Sequence, residues 1–165
     1  MKALPPRWFP MEIPNSGRRL MDWTKGDATG IDFPAHSKAL RAAGPEFLTH
    51  AFHAYGSLSC DNRVVGIERC ERFHGGSTGQ KLLLTLAYAR DEPHLAQDLF
   101  VKFSRDFDDP IFDLRKQELE AEVRLASISR HPNFPIAVAR AYFADHNRAT
   151  GTGILITERI AYGEN

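Results

Sequence analysis

Cysteine is scarce in this chain. Cys60 and Cys70 are the only two, and they lack the paired Cys-x-x-Cys spacing of a metal site, so idle thiols in a reducing compartment are expected. Long apolar runs are missing as well. No window is long and apolar enough to span a bilayer, and the opening Met1-Lys2-Ala3-Leu4-Pro5-Pro6 has no signal-peptide core, so a soluble cytoplasmic protein away from membranes is expected. Neither sign of charge is in excess: Lys plus Arg and Asp plus Glu stand at 21 each. That balance removes the electrostatic case for nucleic acid or an anionic membrane as the main partner and makes a small ligand the better fit. Internal repeats and low-complexity tracts are absent too. What remains is an ordinary globular composition, 42% hydrophobic and 25% charged over 165 residues, enough for one domain, or a small domain with a tail, and a sizeable core.

Residues 1–44 mix Pro5, Pro6, Pro10, Pro14 and Pro34 with Gly17, Gly26, Gly30 and Gly44. They show no sustained period, which predicts an irregular N-terminal arm. Trp8, Phe9 and Trp23 are candidates to anchor it to the body, or else pack incidentally at the periphery. From Pro45 a helix is expected, with Phe47, Leu48, Ala51, Phe52 and Tyr55 recurring at helical spacing until Gly56 ends it. His50 and His53 lie three apart on that helix without a third ligand of the right type, and read as surface histidines.

The most informative stretch runs from 64 to 105. Phe73-His74-Gly75-Gly76-Ser77-Thr78-Gly79-Gln80-Lys81 is followed by the apolar run 82–89 and then by Leu99-Phe100-Val101-Lys102-Phe103. Three glycines within five residues, between apolar runs too short for helices, predict a hairpin whose turn keeps side chains out of the way. Backbone amides in such a turn approach phosphate oxygens closely, although a plain flexible hairpin tip has the same composition. On a strand, Lys102 points away from the face of Val101 and Phe103. It reads either as a surface charge or as a phosphate ligand, and a glycine loop beside a strand lysine supplies two parts of a nucleotide clamp. Next, Asp109 as N-cap and Pro110 as first helical residue predict a helix reaching about Ser129. Glu118, Glu122 and Leu125 share one of its faces, so either glutamate can turn toward the sheet and pair with Lys102. Strands are expected near 136–143 and 154–157, with a polar turn over 145–151 between them.

This order of glycine loop, lysine strand, glutamate helix, two strands and a closing Ile-Thr-Glu-Arg-Ile segment resembles the N-terminal lobe of a protein-kinase-like fold, over residues 45–165. Within that superfamily it looks most like the aminoglycoside phosphotransferase, choline kinase and ecdysteroid-kinase-like group, because Gly75-Gly76-Ser77-Thr78-Gly79 departs from the protein-kinase Gly-x-Gly-x-x-Gly. Glu122-Val123-Arg124-Leu125 is similar to the Glu-Val-x-Phe pattern of the ecdysteroid-kinase-like group, with Leu125 in the aromatic's place. The resemblance implies an α+β lobe in which a five-stranded antiparallel sheet carries a packed helix, preceded by another helix and the irregular arm. It further implies that Gly75, Gly76, Ser77, Thr78 and Gly79 cover the phosphates of ATP and that Lys102 pairs with them. Glu122 would orient Lys102, with Glu118 as runner-up, and Glu158 to Ile160 would form a hinge whose backbone holds adenine. A P-loop NTPase is excluded, since Gly79 is followed by Gln80 and 82–89 reads as strand where that fold needs a helix. The kinase fold's second lobe carries its catalytic aspartate, asparagine and magnesium-binding aspartate. The chain is therefore expected to be the ATP-binding half of a small-molecule phosphotransferase, truncated, inactive alone, and prone to self-association through an exposed lobe face. The magnesium ligands and the site for the hydroxyl acceptor would lie in the missing lobe. The alternative is a non-catalytic nucleotide-binding or protein-interaction module.

Overall fold

The computed structural model describes residues 21–76 and 78–161. The fold is α+β, built on a five-stranded antiparallel sheet. After a short hairpin of β1 (Trp23–Lys25) and β2 (Asp32–Pro34) comes the helix α1 (Ser37–Tyr55). The main sheet is formed by β3 (Val64–Arg72), β4 (Lys81–Tyr88), β5 (Asp98–Phe103), β6 (Ala141–Asn147) and β7 (Thr152–Glu158), in the spatial order β3-β4-β5-β7-β6. Between β5 and β6 lie a short helix α2 (Phe112–Arg115) and the longer α3 (Glu118–Ile128). Among the described residues no helix is long and apolar enough to cross a membrane.

Period-two alternation decides which side of the sheet becomes core. Leu82, Leu84 and Leu86 on β4, Leu99, Val101 and Phe103 on β5, and Ile154 and Ile156 on β7 are all almost fully buried. The register joins them across strands: Leu82 faces Val101, Leu84 faces Leu99, and Val101 and Phe103 face Ile156 and Ile154. The apolar stripe of α1 closes this side. Phe47 and Tyr55 meet Phe143 of β6 edge-on, with ring centroids 6.0 and 5.9 Å apart, and Phe33 of the hairpin joins the same cluster at 6.5 Å. Each fully buried leucine or phenylalanine here contributes roughly 1.5–3 kcal/mol.

The opposite side is only partly covered. Helix α3 packs on β6 and β7, burying Leu119, Val123 and Ala126. Gly153 of β7 leaves room for it, since a methyl group there would come within 3.1 Å of Leu119 Cδ2. Toward β3, β4 and β5 no described element covers this face, and Leu83, Phe100, Leu155 and Thr157 stand half-buried on it.

Four expectations are corrected. The irregular arm does not extend through residue 44: residues 23–34 pair as a hairpin and the helix starts at Ser37, where the His36 ring accepts from the Ala39 amide. Gly44, at φ +67°, breaks that helix, and Pro45 restarts it, so the run of apolar positions after Pro45 is its second segment. Trp8 and Phe9 lie outside the described residues, while Trp23 packs edge-on against Phe47. The helix expected over 110–129 is interrupted at Lys116 and Gln117, because Lys116 packs against the turn at Gly151, where an added methyl would lie 2.4 Å from Lys116 Cβ. Asp109 accepts from the Ile111 amide and so caps the turn ahead of α2. The strand expected at 136–143 instead begins at Ala141; Ile136 and Val138 are exposed, and pairing opens with the Glu158 amide on the Arg140 carbonyl. Asp145 belongs to that strand, not to a turn. It is fully buried, accepts from the amides of Ala28 (3.1 Å) and Thr29 (2.8 Å), and thereby fastens the N-terminal hairpin to β6.

Candidate functional site

The loop over 73–80 joins β3 to β4 and returns across the end of β5. Two of its glycines have positive φ, Gly76 at +72° and Gly79 at +57°, a backbone region that other residues enter at a cost. Gly79 also has a spatial constraint, for its Cβ position lies 1.9 Å from the Phe103 carbonyl oxygen. The loop can reach β5 this closely only without a side chain. Gly75 packs under the Phe73 ring, which itself meets Phe100 edge-on at 5.8 Å over the uncovered face. Thr78 is half-buried beside Gly79, and Ser77 lies outside the described residues.

Lys102 projects from β5 on the face opposite Val101 and Phe103, as alternation requires. Its ammonium donates to Glu122 Oε1 on α3. The lysine side chain is 14% exposed and the glutamate 43%, so water screens the pair and its stabilising effect is on the order of 1 kcal/mol. Positioning is its larger effect, because it fixes an otherwise mobile amine against the sheet. Glu118, the other candidate, is engaged elsewhere: it accepts from Arg105 Nε at 3.0 Å and Arg115 at 2.7 Å. Burial works to raise its carboxyl, but the two guanidiniums outweigh that effect and hold it below the usual carboxylate range.

The structure also brings in Lys81, to which sequence reasoning gave no role. Lys81 lies directly across from Lys102 in the β4–β5 register, on the same face, and is buried. Its ammonium donates to the carbonyls of Thr78 (2.6 Å) and Gly79 (3.3 Å). Burial first, and the neighbouring Lys102 charge second, push this amine below the ordinary lysine range. The signal was present in the sequence, but only a residue-by-residue count of the hairpin register would have paired Lys81 with Lys102. Gln80 likewise had no assigned part, yet it accepts from Ser37 of α1 and donates to Asp106, so the loop's exit is tied at both sides.

A narrow crevice runs between the loop, β5 and α3, lined by Thr78, Gly79, Lys102, Arg105, Glu118 and Glu122. It holds no more than a water molecule. A roomier cleft of about 300 Å³ sits apart from them, at Phe107, Phe112 and Lys116. Glu158 ends β7, and Ile160 lies just beyond the sheet. The Glu158 amide donates to Arg140 O, its carboxylate accepts from the Arg140 amide, and Ile160 is exposed. His53, read as a surface residue, instead has its ring Nε2 within 3.1 Å of Ser59 O and 2.8 Å of Asn62 O, which ties down the turn after α1. Cys60 and Cys70 are free thiols. No family model matches the chain, and no curated protein matches it significantly.

Proposed function

We propose that this chain provides the nucleotide-binding lobe of a small-molecule phosphotransferase of the protein-kinase-like type, with ATP and magnesium as its ligands. The observation that carries the reading is the Lys102–Glu122 pair, seated beside a glycine loop whose backbone comes down onto the end of β5. Phosphoryl transfer is mainly a matter of positioning and of charge placed against the β- and γ-phosphates, and a strand lysine held by a helix carboxylate is one such element. The strand order, with a helix bridging β5 and β6, agrees with that resemblance. In this reading the loop from Gly75 to Gly79 covers the phosphates, the uncovered face around Leu83 and Phe100 receives the base, and the segment from Glu158 to Ile160 borders it.

Transfer also requires a group to position the acceptor hydroxyl and carboxylates to hold magnesium. The nearby acids are otherwise occupied, Asp106 by Gln80, Asp109 by Arg105 and the Ile111 amide, and Asp145 by the hairpin. Those groups are therefore assigned to a second lobe. A second reading, a module for protein interaction, is favoured by one feature: Leu125, Ile128, Ile136 and Val138 are exposed on and just after α3, between 38 and 62%. Calorimetric titration of wild type and Lys102→Met with ATP and magnesium separates the two. Loss of one charge-assisted contact weakens binding about 10- to 100-fold. Equal affinity in both proteins removes Lys102 from the site, and no binding by either favours the interaction module.

A further inference from the structure

We propose that Lys81 is a second phosphate-binding residue, forming with Lys102 a two-ammonium cradle that selects a polyphosphate over a nucleoside or a monophosphate; this rests on the nucleotide-binding reading above. The two lysines are direct cross-strand partners on one face, which places their Cβ atoms about 5 Å apart. Like charges so placed destabilise a sheet unless an anion lies between them. Of the two nearby carboxylates on α3, Glu118 is held by Arg105 and Arg115, leaving Glu122 alone against both ammoniums. The remaining positive charge faces the mouth of the glycine loop.

The donor count agrees. An ammonium has three N–H groups. Two on Lys81 are directed to the Thr78 and Gly79 carbonyls, which hold the amine in place, and no other described residue accepts the third. Gly76 supplies the room: its Cβ position is 3.3 Å from Lys81 Nζ, so a larger residue there would crowd the amine and whatever binds it. A polyphosphate brings more negative charge to the two ammoniums than a single phosphate does, and so gains more from the pair. The depressed affinity of Lys81 for its proton, caused by burial and by Lys102, is the condition that an incoming polyanion relieves.

The test titrates the full chain with ATP, AMP and inorganic tripolyphosphate, in wild type, Lys81→Gln and Lys102→Met. Lys81→Gln is expected to weaken ATP and tripolyphosphate about 10-fold or more and to leave AMP within about twofold. If Lys81→Gln binds ATP and tripolyphosphate like wild type while Lys102→Met does not, the cradle is wrong and the nucleotide-binding reading stands. If Lys81→Gln weakens both and Lys102→Met changes neither, the two-lysine cradle and the Lys102 assignment both fall. A wild type that binds neither ligand overturns both. Should Lys81→Gln fail to fold, pulsed acetylation of the wild type read by mass spectrometry takes its place. Tripolyphosphate is expected to slow modification of Lys81 several-fold, and an unchanged rate refutes the cradle.

Discussion

Replacing Gly79 by alanine tests how the loop is seated, with Gly30→Ala as its internal control. Both glycines have positive φ, +57° and +71°. An L-residue in that region costs roughly 1–2 kcal/mol, offset by about 0.4–1 kcal/mol from the stiffer unfolded chain. Gly30 has open space where its methyl would go, so Gly30→Ala is expected to lower stability by about 1 kcal/mol, or roughly 2–4 °C in Tm. At Gly79 the methyl would sit 1.9 Å from Phe103 O and 2.9 Å from Ser104 O, both backbone atoms. To reach ordinary contact the loop must back away from β5 by more than an ångström. The Phe103 N–H to Gln80 O bond, now 2.9 Å, and the Lys81 bonds to Thr78 and Gly79 then lengthen or break. At about 1 kcal/mol for each such bond, and with the backbone cost that Gly79 shares with Gly30, the total comes to about 4 kcal/mol, or roughly 8–16 °C. Thermal melts and urea unfolding of the two variants measure the difference. Equal losses would mean that the loop backbone is not seated on β5, and the site as described would fall with it.

Asp145→Ala removes the acceptor for the Ala28 and Thr29 amides and the Thr29 hydroxyl in a fully buried position. The expected loss is about 3–5 kcal/mol by urea unfolding, and a loss under 1 kcal/mol would show that the hairpin contributes little. The Asp109 carboxyl is held below 3.8 by the Ile111 amide first and by Arg105 next. Its folded value is the lower one, so the stability it confers is complete above 3.8 and is lost as pH falls through that lower value. Asp109→Asn is therefore expected to flatten the decline in stability below about pH 4, and an unchanged acid slope would contradict the assignment.

The strands of the glycine hairpin and the partner of Lys102 were legible because their signals are local or follow a simple period. Alternation around Leu82, Leu84 and Leu86 identifies β4 without knowledge of its neighbours, and the i, i+4 relation of Glu118 and Glu122 narrowed the choice to two residues. Which glutamate meets Lys102 was settled by Arg105 and Arg115, whose guanidiniums take Glu118; those contacts depend on how α2 folds back. The start of β6 was misplaced because Ile136 and Val138 are as apolar as any strand residue, and only the register with Glu158 shows where pairing begins. Asp145 looked like a turn residue by composition. Its buried role depends on amides 116 and 117 positions earlier in the chain, a distance at which no sequence pattern operates.

That separation also sets a timetable for synthesis. Among the described elements the hairpin of β1 and β2 emerges first, yet the carboxylate that receives its amides follows 117 residues after Ala28. At about 5–20 residues per second, Phe33 and the first segment of α1 wait roughly 6–23 s for β6 to be made. A two-stranded hairpin is at best marginal alone in water, so β1 and β2 stay open until β6 is made, and the main sheet grows from its β3 edge toward β6. Contacts of such long sequence separation slow folding, and in a growing chain they leave the aromatic cluster of Phe33, Phe47 and Tyr55 without Phe143 until β6 is made.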